Sequence, residues 1–118
     1  MDPRRGLGAS GERLAAEWYE ARGYEVLDRN WRCREGELDL VLAGHGSVVF
    51  CEVKTRRGDR FGAPFEAVTI AKQRRVRVLA VRWLREHAQH RAALRFDVAS
   101  VLARRGYAPV IEVLEGAF

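Results

Sequence analysis

Cysteine is scarce in this sequence, and its scarcity excludes whole classes of protein. Cys33 and Cys51 are the two cysteines among 118 residues, and no CxxC pair or Cys/His cluster has the spacing of a zinc site. Two cysteines would allow one disulfide, but Cys51 lies within an apolar run and is typical of a small core residue. We therefore expect a reduced, cytoplasmic protein without a structural zinc ion.

Long hydrophobic segments are also missing. The first twelve residues, MDPRRGLGASGE, contain no apolar stretch of the kind found in signal peptides. No apolar run elsewhere approaches the roughly 20 residues that span a bilayer. We expect neither a secretory leader nor a membrane partner.

Acidic side chains are outnumbered by basic ones. The chain has 21 lysines and arginines against 16 aspartates and glutamates, a formal net charge of +5 and a pI of about 9.9. Ten of the basic residues lie between Lys54 and Arg85, where Asp59 and Glu66 are the only acids. Such a field favours a polyanionic partner. A solvated helix face, or a need for solubility, would leave the same pattern.

The period of the apolar residues changes along the chain and predicts two helices and five strands. The helices are expected at residues 10–22 and at about 69–87, and residues 1–7 are expected to be flexible. The strands are expected at residues 24–30, 37–44, 47–56, 94–102 and 109–115. RCREG, residues 32–36, and the glycine-containing stretch 57–65 are predicted loops. The order αβββαββ indicates one α/β or α+β domain.

The second and third strands are predicted to form a hairpin that brings four charges together. A two-residue loop at His45-Gly46 would set Asp39 opposite Glu52 and Glu37 opposite Lys54. Because side chains alternate along a strand, all four would share one face of the sheet. The other face would then carry the apolar residues Leu38, Leu40, Leu42, Val49, Cys51 and Val53.

Two directly opposed carboxylates repel each other, so Asp39 opposite Glu52 requires an explanation. A raised pKa, a nearby cation or a bound metal ion would offset the repulsion. Mg²⁺, which prefers oxygen ligands, fits two carboxylates at this separation. The alternative is a surface ion-pair network of Glu37, Glu52 and Lys54, with Asp39 exposed at a strand end.

These motifs resemble those of a known group of enzymes. GELDL, followed by EVK, resembles the D…(D/E)xK signature of the restriction-endonuclease-like nucleases, and GASGER resembles the GxxxER of archaeal Holliday-junction resolvases. The whole chain is identified as a member of the bacterial YraN family, whose members are predicted to be endonucleases. The matching residues are Gly11-Glu12, residues 36–39 and 50–56, Lys72 and Arg95-Phe96-Asp97. The resemblance implies a restriction-endonuclease-like αβββαβ core with an extra C-terminal strand and a mixed sheet flanked by helices.

The resemblance also implies roles for particular residues. Asp39, Glu52 and the Val53 carbonyl would bind Mg²⁺ or Mn²⁺. Lys54 would activate or position the attacking water, and Glu12 would support the metal ion or its waters. The chain departs from the signature in two ways, because no proline precedes Asp39 and because Glu37 is an additional acid. We expect Asp97 to cap a backbone group or to pair with an arginine.

The implied partner is DNA, including branched DNA, and similar resolvases suggest a homodimer. The expected nucleic-acid-binding residues are Arg56, Arg57, Arg60, Lys72, Arg74 and Arg75. A non-catalytic nucleic-acid-binding module with a nuclease fold is the rival interpretation. A small interaction protein, with its charge serving only solubility, is a third.

Overall fold

The computed structural model describes residues 3–57, 68–87 and 93–118, and the side chains of these from residue 10 onward. Within these ranges it contains two helices and five strands, in the order that the sequence predicts. In chain order these are α1 (Pro3–Glu20), β1 (Glu25–Cys33), β2 (Gly36–Gly44), β3 (Ser47–Arg57), α2 (Ile70–His87), β4 (Ala93–Ala103) and β5 (Val110–Leu114).

The five strands form one mixed sheet in the order β1-β2-β3-β4-β5. The β1–β2 and β2–β3 pairs are antiparallel, the β3–β4 pair is parallel, and the β4–β5 pair is antiparallel. A parallel pair needs a long crossover, and α2 lies in the segment that connects β3 to β4. The expected α+β fold with a mixed sheet is confirmed, and it is consistent with a restriction-endonuclease-like core.

Each face of the sheet is covered by one helix. The α1-side core consists of Ala15, Ala16, Tyr19, Tyr24, Leu40, Leu42, Val49, Cys51 and Ala99. The α2-side core consists of Leu38, Val41, Val48, Phe50, Val76, Leu79, Ala80, Trp83 and Phe96. β3 contributes alternately to the two cores, as expected for a strand that is buried on both faces.

The turn between β2 and β3 has the predicted two-residue form. His45 and Gly46 have φ values of 51° and 80°, and Gly44 pairs with Ser47. Two positive φ values are typical of the type I′ turn, whose twist suits a tight hairpin. This turn sets the register that pairs Leu40 with Cys51.

Two boundary predictions were wrong. α1 begins at Pro3, whereas the sequence pattern placed its start at Ser10. The predicted RCREG loop is mostly strand, because β1 continues to Cys33 and β2 begins at Gly36. The turn between them is therefore only two residues long, and it keeps Glu37 inside a strand.

Both cysteines are free, Cys51 being buried and Cys33 half-buried. Among the helices of the described ranges, none is long and apolar enough to cross a bilayer.

Candidate active site

The site lies where β2 and β3 separate. Leu40–Cys51 is the last pair of their ladder within the described residues. Beyond it, the backbone N–H of Val53 donates to the Asp39 side chain, with the nitrogen 2.8 Å from Oδ2. A carboxylate thus replaces the strand carbonyl that a regular ladder would offer.

Side-chain alternation breaks at the same level of the sheet. Leu38 packs in the α2-side core and Leu40 in the α1-side core, although regular alternation would put both on one face. In β1, Asn30 lies between the residues that pair with Leu38 and Leu40, and it has a positive φ of 51°. The prediction that Glu37 lies on the same face of the sheet as Glu52 was therefore wrong.

The break places Glu37 and Asp39 beside a carboxylate of α1. Ligand oxygens of Glu12, Glu37 and Asp39 lie within 4.8 Å of one another, and all three side chains are half-buried. α1 comes this close because Gly11, next to Glu12, has no side chain. A Cβ at Gly11 would overlap Oγ1 of Thr55 in β3.

The other two carboxylates affect the ionisation of Glu12. The pKa of Glu12 is raised, mainly by burial and also by the negative charges of Asp39 and Glu37. A hydrogen bond from Asn30 and the positive charge of Arg29 act in the opposite direction. A divalent cation would relieve the same repulsion, and carboxylate oxygens are the ligands that Mg²⁺ prefers.

Glu52 lies on the other side of the gap and is only 2% exposed. Burial raises its pKa to about 7, and the charge of Asp39, which also shares a hydrogen bond with it, adds to the rise. Lys72 of α2 acts in the opposite direction, with its Nζ 3.4 Å from Oε2 of Glu52. Asp39 and Glu52, the opposed acids predicted from the sequence, are thus adjacent. The raised pKa of Glu52 and the ammonium of Lys72 offset their repulsion.

The predicted ion pair between Glu37 and Lys54 was wrong. Glu37 pairs with Arg32 at 3.5 Å, across the β1–β2 ladder. Lys54 is half-buried two residues beyond Glu52, so alternation places it on the same face of β3. It forms no ion pair with any residue that the structure describes.

The residues expected to bind nucleic acid lie in different surroundings. Arg56 is half-buried and Arg57 exposed at the end of β3, and Arg74 and Arg75 are exposed on α2. Lys72 faces Glu52, and Arg60 lies outside the described residues. Their binding role stays a prediction, as does the metal-binding role of the Val53 carbonyl.

Asp97 is a structural residue whose acceptors are occupied. It is fully buried, it forms two hydrogen bonds with Arg95 at 2.9 Å each, and it accepts the Gly116 N–H at 2.9 Å. The Tyr19 hydroxyl donates to it at 2.6 Å, and burial raises the pKa of that phenol. The expected pairing with an arginine is confirmed.

Comparison with known proteins identifies the family. The model of the uncharacterised protein family UPF0102 matches residues 11–101. The chain belongs to this family. UPF0102 proteins of Rhodococcus opacus and Beutenbergia cavernae are 53% and 51% identical to it, over 95% and 98% of both chains respectively. A third, from Nocardia farcinica, is 50% identical over 98% of this chain and 91% of its own length.

The match to UPF0102 confirms the family that the sequence motifs indicated. The matched segment begins one residue before Glu12, and it includes Asp39, Glu52, Lys54 and Lys72. Sequence reasoning did not place Glu37 beside Glu12, or Lys72 against Glu52. Asn30, which lies between the β1 partners of Leu38 and Leu40, was a signal for the broken alternation, because asparagine is enriched at positive φ.

Proposed function

We propose that this protein is a metal-dependent nuclease that hydrolyses phosphodiester bonds in DNA, including branched DNA, in the cytoplasm. The observation that carries the proposal is the position of Asp39. Its carboxylate lies in a gap of the sheet between Glu12 and Glu37 on one side and Glu52 on the other. Lys54 follows on the same strand as Glu52.

The donor set fits a hard divalent cation. Asp39 would hold Mg²⁺ or Mn²⁺ together with Glu12 and Glu37, or with Glu52 after Lys72 has moved. When bound, the ion would act as a Lewis acid toward the scissile phosphate and would lower the pKa of a water molecule. The hydrogen bond from the Val53 N–H fixes the Asp39 carboxylate in the gap.

Lys54 is the residue that we assign to the reacting phosphate or the attacking water. Its ammonium has no competing carboxylate among the described residues. A cation held in a half-buried site stabilises the charge that develops on a phosphoryl oxygen. Arg57, Arg74 and Arg75, all exposed, would hold the DNA backbone through its phosphates.

Cleavage assays on linear, flapped and four-way DNA with Mg²⁺ or Mn²⁺ test the proposal. Asp39→Asn and Lys54→Ala are each expected to reduce the cleavage rate by on the order of 100-fold, because each removes a charged group from the reacting centre. Glu17→Gln is the matched control, since Glu17 is exposed on the same helix as Glu12. Cleavage that survives both site substitutions would remove this site from consideration.

The pairing of Lys72 with Glu52 favours a second candidate. Lys72 supplies the buried acid with a counter-charge from the protein itself. A non-catalytic nucleic-acid-binding module would bind DNA in a salt-sensitive way and would cleave nothing with either metal. In that case Asp39→Asn would leave DNA binding nearly unchanged.

A further inference from the structure

We propose that Lys72 is the resident counter-cation of Glu52 and that a divalent ion must displace its ammonium in order to use the Glu52 carboxylate. This inference rests on the proposed function, because it presumes that the site binds a metal ion. It gives Lys72 a role in setting metal affinity, in place of the DNA contact that the sequence indicated.

The two partners differ in their access to solvent. The Glu52 side chain is 2% exposed, whereas that of Lys72 is 40% exposed and only 3.4 Å away. A buried carboxylate without a partner is costly, so the ammonium stabilises the ionised form of Glu52. The half-exposed lysine side chain can move into water, whereas the carboxylate cannot, and an incoming divalent ion would then replace the ammonium as the counter-charge of Glu52.

The backbone of Lys72 is fixed by hydrogen bonds at the start of α2, whereas the contact described for its side chain is the ion pair with Glu52. Its N–H donates to Oγ1 of Thr69 at 3.1 Å, which caps the first turn of α2. The N–H of Gln73 in turn donates to the Thr69 carbonyl at 2.9 Å. The flexible lysine side chain therefore pivots on a fixed helix end, and a movement of the ammonium requires no change in the fold.

An ammonium and a divalent ion cannot share one carboxylate without repulsion. Asp39 is adjacent to Glu52, and Nζ of Lys72 already lies 3.4 Å from Oε2 of Glu52, so an ion held by these two carboxylates would be repelled by the ammonium. Among the described residues, Lys72 is the one cation within ion-pair distance of Glu52. Removal of its charge should therefore strengthen divalent-ion binding, whereas loss of a merely structural lysine would not.

Mn²⁺ titration of the full chain, followed by the electron paramagnetic resonance signal of the free ion, tests this inference. We expect Lys72→Gln to bind Mn²⁺ about threefold to fivefold more tightly than wild type, the size of effect expected for a half-exposed ion pair. Arg85→Gln is the matched control. It removes one positive charge from an exposed position in the last turn of the same helix, and it should change the affinity less.

A second substitution tests the same site without removing its charge. Lys72→Arg is expected to bind Mn²⁺ no more tightly than wild type, since a guanidinium pairs with a carboxylate in a two-point geometry. In a Glu52→Gln background, Lys72→Gln should lose its effect, because the shared carboxylate is gone. Thermal unfolding of each variant in EDTA establishes that it is folded. If Lys72→Gln does not fold, tighter Mn²⁺ binding by Lys72→Arg would contradict the inference.

The outcomes separate this inference from the proposed function. Wild type that binds Mn²⁺ with an affinity unchanged by Lys72→Gln would overturn the counter-cation role and leave the metal site standing. Weaker binding by Lys72→Gln would also overturn it, since the lysine would then assist the ion. Wild type that binds no Mn²⁺ would overturn both proposals together.

Discussion

Glu52 is the residue whose environment departs most from that of an ordinary carboxylate. It is 2% exposed, it shares a hydrogen bond with Asp39, and one half-exposed ammonium faces it. Ionisation of such a group costs free energy in the folded protein. Its protonation state is therefore linked to folding stability.

The sign of that linkage predicts a pH-dependent effect of Glu52→Gln. Folding raises the pKa of Glu52 from 4.5 to about 7, so the folded protein binds more protons than the unfolded chain between these pH values. The wild-type free energy of unfolding should therefore fall as pH rises through this window, by about 3 kcal/mol at most from this group. We expect Glu52→Gln to match wild type near pH 4.5 and to be more stable at pH 8.

Urea unfolding of both proteins at the two pH values measures the effect. Glu17→Gln serves as the control, because Glu17 is exposed and its substitution should shift both curves equally. A stability difference between Glu52→Gln and wild type that stays constant across the window would show that Glu52 has no raised pKa.

At the scale of elements, the close approach of α1 to β3 positions Glu12. Gly11 lies against Thr55, and the next residue of the helix then meets Asp39 and Glu37. Thr55 is β-branched, so its side chain has little freedom to turn away. The contact between Gly11 and Thr55 therefore sets the distance between α1 and β3.

Gly11→Ala is therefore expected to destabilise the protein, although alanine is the better helix former. The added methyl group would force α1 away from β3, at a cost of about 1–3 kcal/mol. Thermal unfolding measures the loss. Thr55→Ala in the same chain should recover part of it, because the overlapping Oγ1 is then absent. Equal stability of Gly11→Ala and wild type would mean that the helix is free to move.

The elements were more predictable than the site they carry. The His45-Gly46 turn and the alternation on both sides of it were sufficient to predict the β2–β3 register. The site depends on the broken alternation between Leu38 and Leu40, which keeps both residues buried. The apolar pattern of the sequence cannot reveal this loss of alternation, because leucine is equally suited to the α1-side core and to the α2-side core. Tertiary packing, rather than local preference, decided which face Glu37 occupies.

At the scale of the whole molecule, the chain carries a net charge of +5, whereas the cluster of Glu12, Glu37 and Asp39 is locally acidic. Arg57 ends β3 on the side where β2 and β3 have separated, three residues beyond Lys54, whereas Arg22 lies beside the β2–β3 turn at the other end of the hairpin. Its carbonyl is 2.8 Å from the His45 ring in the β2–β3 turn. The two arginines therefore allow the site end to be compared with the distal end.

DNA binding in EDTA should depend on salt, and the dependence should be shallower for Arg57→Gln. Each phosphate contact contributes about one unit to the slope of log affinity against log salt concentration. We expect Arg57→Gln to lower the slope by about 1 and Arg22→Gln to leave it unchanged. Fluorescence anisotropy of labelled DNA at several salt concentrations gives both slopes. Equal slopes for the two variants would place the DNA elsewhere.

The hydrogen bond from the Val53 N–H to Asp39 makes the carboxylate that we propose as a metal ligand part of the backbone pairing. Removal of the Asp39 side chain would leave a strand amide without an acceptor as well as remove a charge. If Asp39→Ala were inactive, misfolding and the loss of the carboxylate could not be told apart. Asp39→Asn avoids this problem, because it keeps a side-chain oxygen that can accept the Val53 N–H. Because of the same hydrogen bond, the amide resonance of Val53 should report on any ion that binds the Asp39 carboxylate.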